Sequence, residues 1–472
     1  MRLAIPFDNS YARLPDAFHS AQPPTPVRAP RLVAFNADLA RLMGISAGDV
    51  AEMADVFAGN ALPNGAAPIA QLYSGHQFGQ YNPQLGDGRA VLLGETVGLD
   101  GQRRDIQLKG AGPTPYSRMG DGRAWLGPVL REYVLSEAMH ALGIPTTRAL
   151  AATETGEAVV RETVLPGAVL TRVANSHLRV GTFQVFAARG DIVSLKRLTD
   201  YAIARHYPDV DGPMGLLTAV RDAQAALIPH WMAAGFIHGV MNTDNMAISG
   251  ETIDYGPAAF LDSYHPDTVY SSIDRMGRYA YANQQDIAVW NIAQLATALI
   301  QQVEDKETAV EEATGIVHAM PDLIHQHWLT RFGAKIGLTS PRDDDEALIA
   351  DLLARMATNQ ADFTNTFRAL GTPRARAQFT DPSAYDSWAD TWGDRAAHEP
   401  DPAATMAAAN PALIPRNHRI EEMIKAAVNG DYSVFERLNA VLARPYEDQP
   451  ENADLTRPPL PEEVVHATFC GT

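Results

Sequence analysis

The chain has 472 residues, of which 46% are hydrophobic and 20% are charged, a composition typical of globular proteins. Its formal net charge of -18 at pH 7 argues against a broad electrostatic surface for nucleic acid or anionic membrane, although a local basic cleft is compatible with phosphate binding. The length exceeds the size at which one hydrophobic core stops growing, so we expect two or three packed units.

Cysteine usage and hydropathy restrict the class of protein further. The single cysteine, Cys470, excludes an intramolecular disulfide and a cysteine-based zinc site. The apolar run before Pro6 is too short for a signal peptide, and no uninterrupted apolar stretch reaches membrane-spanning length. These features predict a cytoplasmic protein.

The first 70 residues are predicted to form an N-terminal extension, with a proline-rich lead and helices over Asn36–Met43 and Ala47–Ala58. The sequence changes at Gln71, where glycines and polar residues precede an apolar strand. Glycine lets backbone amides approach phosphate oxygens, so this segment is compatible with a nucleotide-binding loop. A plain hairpin turn is the alternative.

A hairpin and a helix follow this segment. Ala90–Val97 and Asp105–Lys109 are predicted as two strands joined by an Asp-Gly turn. A second glycine-rich segment, Gly110–Gly122, then precedes a helix that starts near Pro128, since proline is favoured in the first turn of a helix.

The lysine that ends the second strand, Lys109, has two interpretations. Lysine at a strand end is usually a solvated edge residue, but a strand lysine paired with a helix glutamate holds a nucleotide phosphate in protein kinases. Glu132, near the start of the next helix, is the candidate partner, and Glu137 is the competing one.

Two further strands are predicted over Val159–Val164 and Val169–Val173, with Arg172 and Arg179 close by. Arginine offers a planar fork to phosphate oxygens, so this pair could grip a polyphosphate. A pair of surface salt bridges is the alternative interpretation.

The stretch from His238 to Gly256 is the strongest candidate for chemistry. It follows an apolar helix predicted over Gly215–Phe236, and we expect a polar loop, a short hairpin beginning with Met246–Ile248, and a second loop ending at Asp254.

The order of polar residues in this stretch resembles the catalytic segments of protein kinases. His238 matches the kinase histidine, Asn245 the metal-ligating asparagine and Asp254 the metal-ligating aspartate. Val240 stands where the kinase has its catalytic aspartate, and valine cannot accept a proton. Either the site is inactive or another carboxylate serves as the base, and Asp244 is the candidate.

The segment after Asp254 occupies the position of a kinase activation segment, and the rest of the chain is predicted to be helical before a proline-rich acidic tail. The predicted helices are Asp286–Gln302, Ala309–His327, Asp345–Met356, Ala361–Leu370 and Arg419–Val441, and the tail is Arg444–Glu463.

Long motifs across nearly the whole chain resemble the selenoprotein O family. The motifs are FDNSYARLP, YSGHQFGQYNPQLGDGRA, DIQLKGAGPTPYSRMGDGRA, LREYVLSEAMHALGIPTTR, HGVMNTDNM with TIDYGP, and NPALIPRNHRIEE.

The resemblance implies an α+β, two-lobed protein-kinase-like fold. In this division residues 1–70 are the N-terminal extension, 71–180 the nucleotide-binding small lobe, 181–330 the large lobe with the catalytic and metal loops, and 331–472 a helical extension and tail. The implied activity is transfer of AMP from ATP to Ser, Thr or Tyr hydroxyls of proteins, including this protein itself, with ATP flipped so that its α-phosphate faces the acceptor. Use of UTP is a further option.

The resemblance also assigns roles to individual residues. Asp244 would accept the proton, Glu132 would pair with Lys109, and Asn245 and Asp254 would bind Mg²⁺ or Mn²⁺. The residues that would contact ATP are Gly86, Gly88, Arg89, Lys109, Asp121, Gly122, Arg172, Arg179 and Asp254.

Two rival functions remain open: an ordinary kinase-like phosphotransferase, since one fold supports many functions, and an inactive ATP-binding module. Some family members pair a C-terminal cysteine with a second cysteine as a redox switch. Cys470 matches the first position, but the chain has no second cysteine, so we expect no intramolecular lock here.

Overall fold

An antiparallel sheet of eight strands dominates the N-terminal half of the computed structural model, which describes residues 2–469. The sheet strands are β1 (His19–Ala21), β2 (Arg31–Phe35), β3 (Ile69–Gln71), β6 (Ala90–Val97), β7 (Arg103–Lys109), β8 (Ala124–Trp125), β9 (Arg148–Val160) and β10 (Val164–Ala174). Their order is β1-β3-β6-β7-β10-β9-β2, with β8 also paired to β10. Two small antiparallel pairs join β4 (Gly75–Gln77) to β5 (Gln80–Asn82) and β11 (Phe236–Ile237) to β12 (Ala259–Phe260).

Strand β7 shows how the sequence directs side chains to the two faces of this sheet. Side chains alternate along a strand, so Ile106 and Leu108 enter the apolar core shared with the N-terminal residues. Gln107 and Lys109 face the other way and make polar contacts. The predicted β6–β7 hairpin is confirmed, and the second strand starts two residues earlier than expected.

The predicted strand over Val159–Val164 is wrong. Strand β9 ends at Val160 and β10 begins at Val164, so Arg161–Thr163 form the turn between two long strands. The valines at the two strand ends suggested a single strand, but Arg161–Thr163 between them are polar, and Val160 and Val164 are both exposed.

The first 70 residues contribute to the main sheet. They supply β1 at one edge and β2 at the other, together with most of β3 at residues 69–71. The two predicted helices are present as α1 (Ala37–Leu42) and α2 (Val50–Ala58). Each is N-capped by a side chain, because Asn36 and Asp49 accept backbone N–H bonds.

Helices make up most of the remaining structure of residues 2–469, so the mixed α and β content predicted from the sequence is confirmed. They are α3 (Leu126–Ala141), α4 (Val180–Arg189), α5 (Ile192–His206), α6 (Gly212–Ala234), α7 (Gln284–Leu299), α8 (Lys306–His318), α9 (Met320–Lys335), α10 (Asp345–Asn359), α11 (Phe363–Arg368), α12 (Pro373–Arg376), α13 (Pro382–Ala396), α14 (Pro402–Ala409), α15 (Asn417–Val428) and α16 (Ser433–Leu442).

In the structure, each of two segments that were predicted as one long helix forms two shorter helices. The segment Ala309–His327 is divided at Ala319 between α8 and α9, and Pro321 lies in the first turn of α9, where the N–H that proline lacks is not needed for a helical hydrogen bond. The segment Arg419–Val441 is divided between α15 and α16 at Gly430, which has φ +88° and so leaves the helical region.

Two of three apolar clusters contain residues of α3, the helix that carries Glu132. The largest cluster surrounds α6, α7 and α9. A second joins α3 and one sheet face to α15 and α16, and the third joins the opposite face to α1 and α2. No helix within residues 2–469 is long and apolar enough to cross a membrane.

A buried ion-pair cluster ties the start of α15 to two earlier segments. Arg416 is 1% exposed and lies 2.5 Å from Asp262 Oδ1 and 2.8 Å from Asp362 Oδ2. Removing the guanidinium would leave two enclosed carboxylates without their cation, which is strongly unfavourable.

We therefore expect Arg416→Ala to lower the free energy of unfolding by about 3–5 kcal/mol. Arg376→Ala is the control, because Arg376 and Asp386 form an ion pair exposed to solvent whose loss should cost about 0–1 kcal/mol. Urea denaturation followed by circular dichroism measures both. Equal losses would contradict a structural role for the buried cluster.

Candidate active site

The segment from His238 to Gly256 follows α6 and β11. Helix α6 ends at Ala234 and is capped by Gly235, which has φ +74°. Strand β11, before the segment, pairs with β12, after it. His238 is fully buried, and its Nε2 lies 2.8 Å from the Ile253 carbonyl oxygen. Burial lowers the pKa of His238, so a neutral imidazole joins the loop before Asp244 to the loop before Asp254.

The hairpin predicted from Met246–Ile248 is wrong. Ala247 bridges to Arg179, and Thr252 bridges in parallel to Thr146. The two halves of the proposed hairpin therefore pair with different neighbouring segments rather than with each other. These bridges fix the loop against the end of the main sheet.

Asp244 lies in a short 3-10 turn and is buried. Its Oδ2 accepts a 3.2 Å hydrogen bond from Gln77 Nε2, whereas its Oδ1 is enclosed and has no hydrogen-bond partner among the described residues. Burial raises the pKa of Asp244 to about 6. A carboxylate with this pKa is suited to accepting a proton near neutral pH.

Asp254 has the opposite electrostatic environment. Although burial opposes its ionisation, the cations of Lys109, Arg172 and Arg89 hold the pKa of this carboxyl well below its usual range. Lys109 Nζ contacts its Oδ1 directly. The backbone φ of Asp254 is +69°, which is uncommon for a residue with a side chain. Strained backbone of this kind is concentrated at functional sites.

Lys109 pairs with Glu132, across 2.5 Å between Nζ and Oε2. Glu137, the competing partner, instead binds Arg148 at 2.7 Å and Asn36 at 2.8 Å. Five residues along a helix rotate a side chain by about 140° from its starting direction. Glu137 therefore faces the sheet edge when Glu132 faces Lys109.

Arg172 and Arg179 are both 3% exposed, which excludes the surface salt-bridge interpretation. Arg172 donates to Glu132 Oε1 at 3.1 Å and to Gln107 Oε1 at 2.6 Å. Arg179 donates to the backbone oxygen of Asp244 at 3.0 Å. Its guanidinium also stacks on Tyr73, 4.4 Å from the ring centroid.

A cavity of about 600 Å³ opens between the two glycine-rich segments and Asp244. Backbone geometry explains two of its glycines. A Cβ on Gly86 would lie 2.4 Å from Tyr116 Cγ, and one on Gly122 would lie 2.2 Å from the Gly112 oxygen. The predicted residues that line this cavity are Gly86, Gly88, Arg89, Asp121, Gly122 and Asp244.

The other predicted residues lie outside the lining of this cavity. Lys109, Arg172 and Glu132 form a connected group with Asp254. Asn245 donates from Nδ2 to the Val240 oxygen at 3.1 Å and lines a separate small cavity.

Asp121 lines the glycine-rich cavity, but its carboxylate already accepts a hydrogen bond from Arg161 at 2.8 Å.

Several residues of the site were missed from the sequence. Gln77 reaches Asp244 because the β4–β5 hairpin is bonded to the loop before it: the His76 amide donates to Thr243 Oγ1 at 2.7 Å, and the Phe78 amide donates to Asn242 Oδ1 at 3.0 Å. Arg161 also lines the cavity from the β9–β10 turn. In the sequence, the only signal for the β4–β5 hairpin was its glycine-rich composition. No sequence signal pointed to Arg161.

The donor chemistry fits a divalent cation held together with phosphates. The described residues contain no cluster of three or more His, Cys, Asp or Glu side chains that could hold a metal alone. Mg²⁺ usually takes one or two carboxylates and completes its shell with water and substrate phosphates. The ionised carboxylate of Asp254 and the side-chain carbonyl of Asn245, whose Nδ2 donates to the Val240 oxygen, are oxygen ligands of this type.

Comparison with known proteins identifies the family. The family model for protein adenylyltransferase SelO matches residues 1–443. The chain belongs to the SelO family. Among the related proteins, one from Ruegeria pomeroyi, called protein nucleotidyltransferase YdiU, is 76% identical over 100% of both chains. Proteins of the same name from Jannaschia sp. and Bradyrhizobium diazoefficiens are 58% identical over 99% of both chains and 57% identical over 100% of both chains.

Membership of an adenylyltransferase family allows the position of Asp244 to be tested through AMP transfer. A Cβ on Gly75 would lie 2.5 Å from Asp244 Oδ1 and 2.9 Å from its Cγ, so Gly75→Ala must displace this carboxylate. We expect the rate of AMP transfer to fall by about 10²-fold, as a misplacement near 1 Å can do. Gly315→Ala is the control because its Cβ would meet nothing within 4 Å. Equal rates for both variants would show that Asp244 tolerates displacement.

Proposed function

We propose that the protein transfers AMP from ATP to Ser, Thr or Tyr hydroxyls of acceptor proteins, including itself, and releases pyrophosphate. Membership of the SelO family supports this activity. The structural observation that carries it is the buried, partly unpartnered carboxylate of Asp244 at the wall of the glycine-lined cavity. This group supplies the base that Val240 cannot provide.

The proposal includes a two-lobed kinase-like organisation. Residues 71–180 would form the nucleotide-binding small lobe and 181–330 the large lobe, with extensions at 1–70 and 331–472. The division is supported by the position of Lys109 on the sheet and of Asp244 and Asp254 on the loops after α6.

The phosphates would be held by backbone and cationic groups. Gly86, Gly88 and Gly122 allow close backbone approach to a polyphosphate, and Asp121 positions Arg161 beside them. Arg89 lines the same cavity. Lys109, Arg172 and Arg179 supply further positive charge, which would stabilise the pyrophosphate leaving group.

Asp254 and Asn245 would hold Mg²⁺ or Mn²⁺. When bound, this ion would neutralise phosphate charge during in-line displacement. The low pKa of Asp254 keeps its carboxylate ionised for this role, and Glu132 retains Lys109 in position.

Asp244 would take the proton of the acceptor hydroxyl. The hydroxyl oxygen then bonds to the α-phosphorus, the bond from that phosphorus to the β-bridging oxygen breaks, and pyrophosphate leaves with the electron pair. The hydrogen bond from Gln77 leaves the Oδ1 of Asp244 available for the proton. The metal and nucleotide are thus held by residues other than the base.

ATP labelled separately at the α- and γ-phosphates distinguishes this function from its rivals. We expect label on the acceptor protein from the α-phosphate only, because AMP transfer releases the γ-phosphate in pyrophosphate. Label from the γ-phosphate only would establish a phosphotransferase, and no label from either would favour an inactive nucleotide-binding protein. α-Labelled UTP in a parallel reaction determines whether the base of the nucleotide matters.

Separate variants test the base and the metal ligand. Asp244→Asn should lower the rate of transfer by about 10²- to 10⁴-fold, the span for a positioned base, with nearly unchanged ATP affinity. Asp254→Asn should weaken the binding of metal and ATP, since it removes the ionised ligand. Calorimetry with ATP and Mn²⁺ provides the affinities. A wild-type rate in Asp244→Asn would overturn the assignment of the base.

A further inference from the structure

Helix α9 carries a stripe of basic residues outside the candidate active site. His327, Arg331 and Lys335 are spaced four residues apart, so they lie along one face of the helix. Like charges at this spacing disfavour the helix. In a chain of net charge -18, such a stripe would be expected to attract carboxylates from neighbouring elements.

Lys335 has no carboxylate partner within residues 2–469. The residue is 2% exposed, and its Nζ lies 4.3 Å from the ring centroid of Phe367 and 5.1 Å from that of Phe363. Burial lowers its pKa to about 7. Burying an amine without a counter-ion is costly, and ring contacts offset only part of that cost.

Arg331 also lacks a carboxylate partner in the part of the chain that the structure describes. Its Nε is enclosed and has no hydrogen-bond partner among the described residues, and its Nη2 contacts His230 Nε2. The arginines of neighbouring helices differ in this respect. Arg395 of α13 pairs with Asp345 at 2.7 Å, and Arg368 of α11 pairs with Asp448 at 2.9 Å.

Four basic residues line one cavity of about 290 Å³. His230, His327, Arg331 and Lys335 line it together with the hydroxyl-bearing Thr330 and Tyr446, and none of the described residues lining it is acidic. The volume lies at the small end of ligand pockets. It therefore suits a small molecule rather than a segment of a protein.

The cavity is separate from the candidate active site. Its walls come from the residues just after α3, from the ends of α6 and α14, from α9, and from Pro411 and Tyr446 in later loops. None of these residues lines the glycine-rich cavity beside Asp244. Tyr446 joins the walls by donating from its hydroxyl to the Leu142 oxygen at 3.1 Å.

We propose that this cavity binds a small anion carrying a phosphate or carboxylate group. The anion would supply the negative charge that Arg331 and Lys335 do not find among residues 2–469, through charge-assisted hydrogen bonds. A planar arginine fork beside a lysine suits either kind of oxyanion.

Isothermal titration calorimetry of the full-length protein with inorganic phosphate, pyrophosphate and succinate tests this proposal. Binding of a phosphate species, of succinate or of both supports the site and identifies the group it accepts if the substitutions below weaken that binding. No binding of any of the three would overturn it. The titrations are repeated on Lys335→Met and Arg331→Met, with Lys425→Met as the control at an exposed lysine.

We expect affinity to fall at least about tenfold in Lys335→Met and in Arg331→Met, and to stay within about twofold in Lys425→Met, since a charged hydrogen bond contributes more than the 1.4 kcal/mol that equals a tenfold change. Lys335→Met should also unfold at a higher temperature than the wild type, because it removes the unpaired charge. If either variant failed to fold, the other would decide. Binding that survives both substitutions but is lost in Lys109→Met would place the anion in the nucleotide cavity and overturn the proposal.

Discussion

The pairing of buried charges around Lys109 holds the candidate active site together. Lys109 on β7 contacts both Glu132 on α3 and Asp254, and Arg172 on β10 contacts Glu132 from the other side. An isolated charge in such surroundings would be strongly unfavourable. Each element of the group is therefore constrained by the others, so that the sheet, α3 and the loop after His238 must be assembled together.

The two aspartates of the site have pKa values shifted in opposite directions. Asp254 lies within the cationic group and is held ionised, whereas Asp244 is enclosed with one oxygen unpartnered and has a raised pKa. Carboxylates whose environments push their pKa values apart are suited to different roles. A metal ligand must remain ionised, and a base must exchange a proton near neutral pH.

The sequence revealed those parts of the site whose residues follow local rules. The β6–β7 hairpin has an alternating pattern of side chains and a turn signal. The glycine-rich segments indicate backbone that a ligand can approach closely. The family motifs located Asp244 and Asp254 within a loop that the structure places after α6.

Contacts between distant segments could not be read in the same way. Gln77 meets Asp244 only because the β4–β5 hairpin is bonded to the loop before it. The helix breaks near Pro321 and Gly430 fell within segments that were each predicted as one helix. The choice between Glu132 and Glu137 also depended on the orientation of α3. Cys470 lies outside the described residues, so the expectation of no intramolecular lock stays a prediction.

A crystal structure with the non-hydrolysable analogue α,β-methylene-ATP and Mg²⁺ would test the central claim, that Asp244 serves attack at the α-phosphorus, most directly. The account predicts the α-phosphate beside Asp244, with room between them for an acceptor hydroxyl within hydrogen-bond reach of Oδ1, and the β- and γ-phosphates among the cationic groups. A γ-phosphate beside Asp244, with the α-phosphate held away from it, would contradict the account and favour phosphoryl transfer.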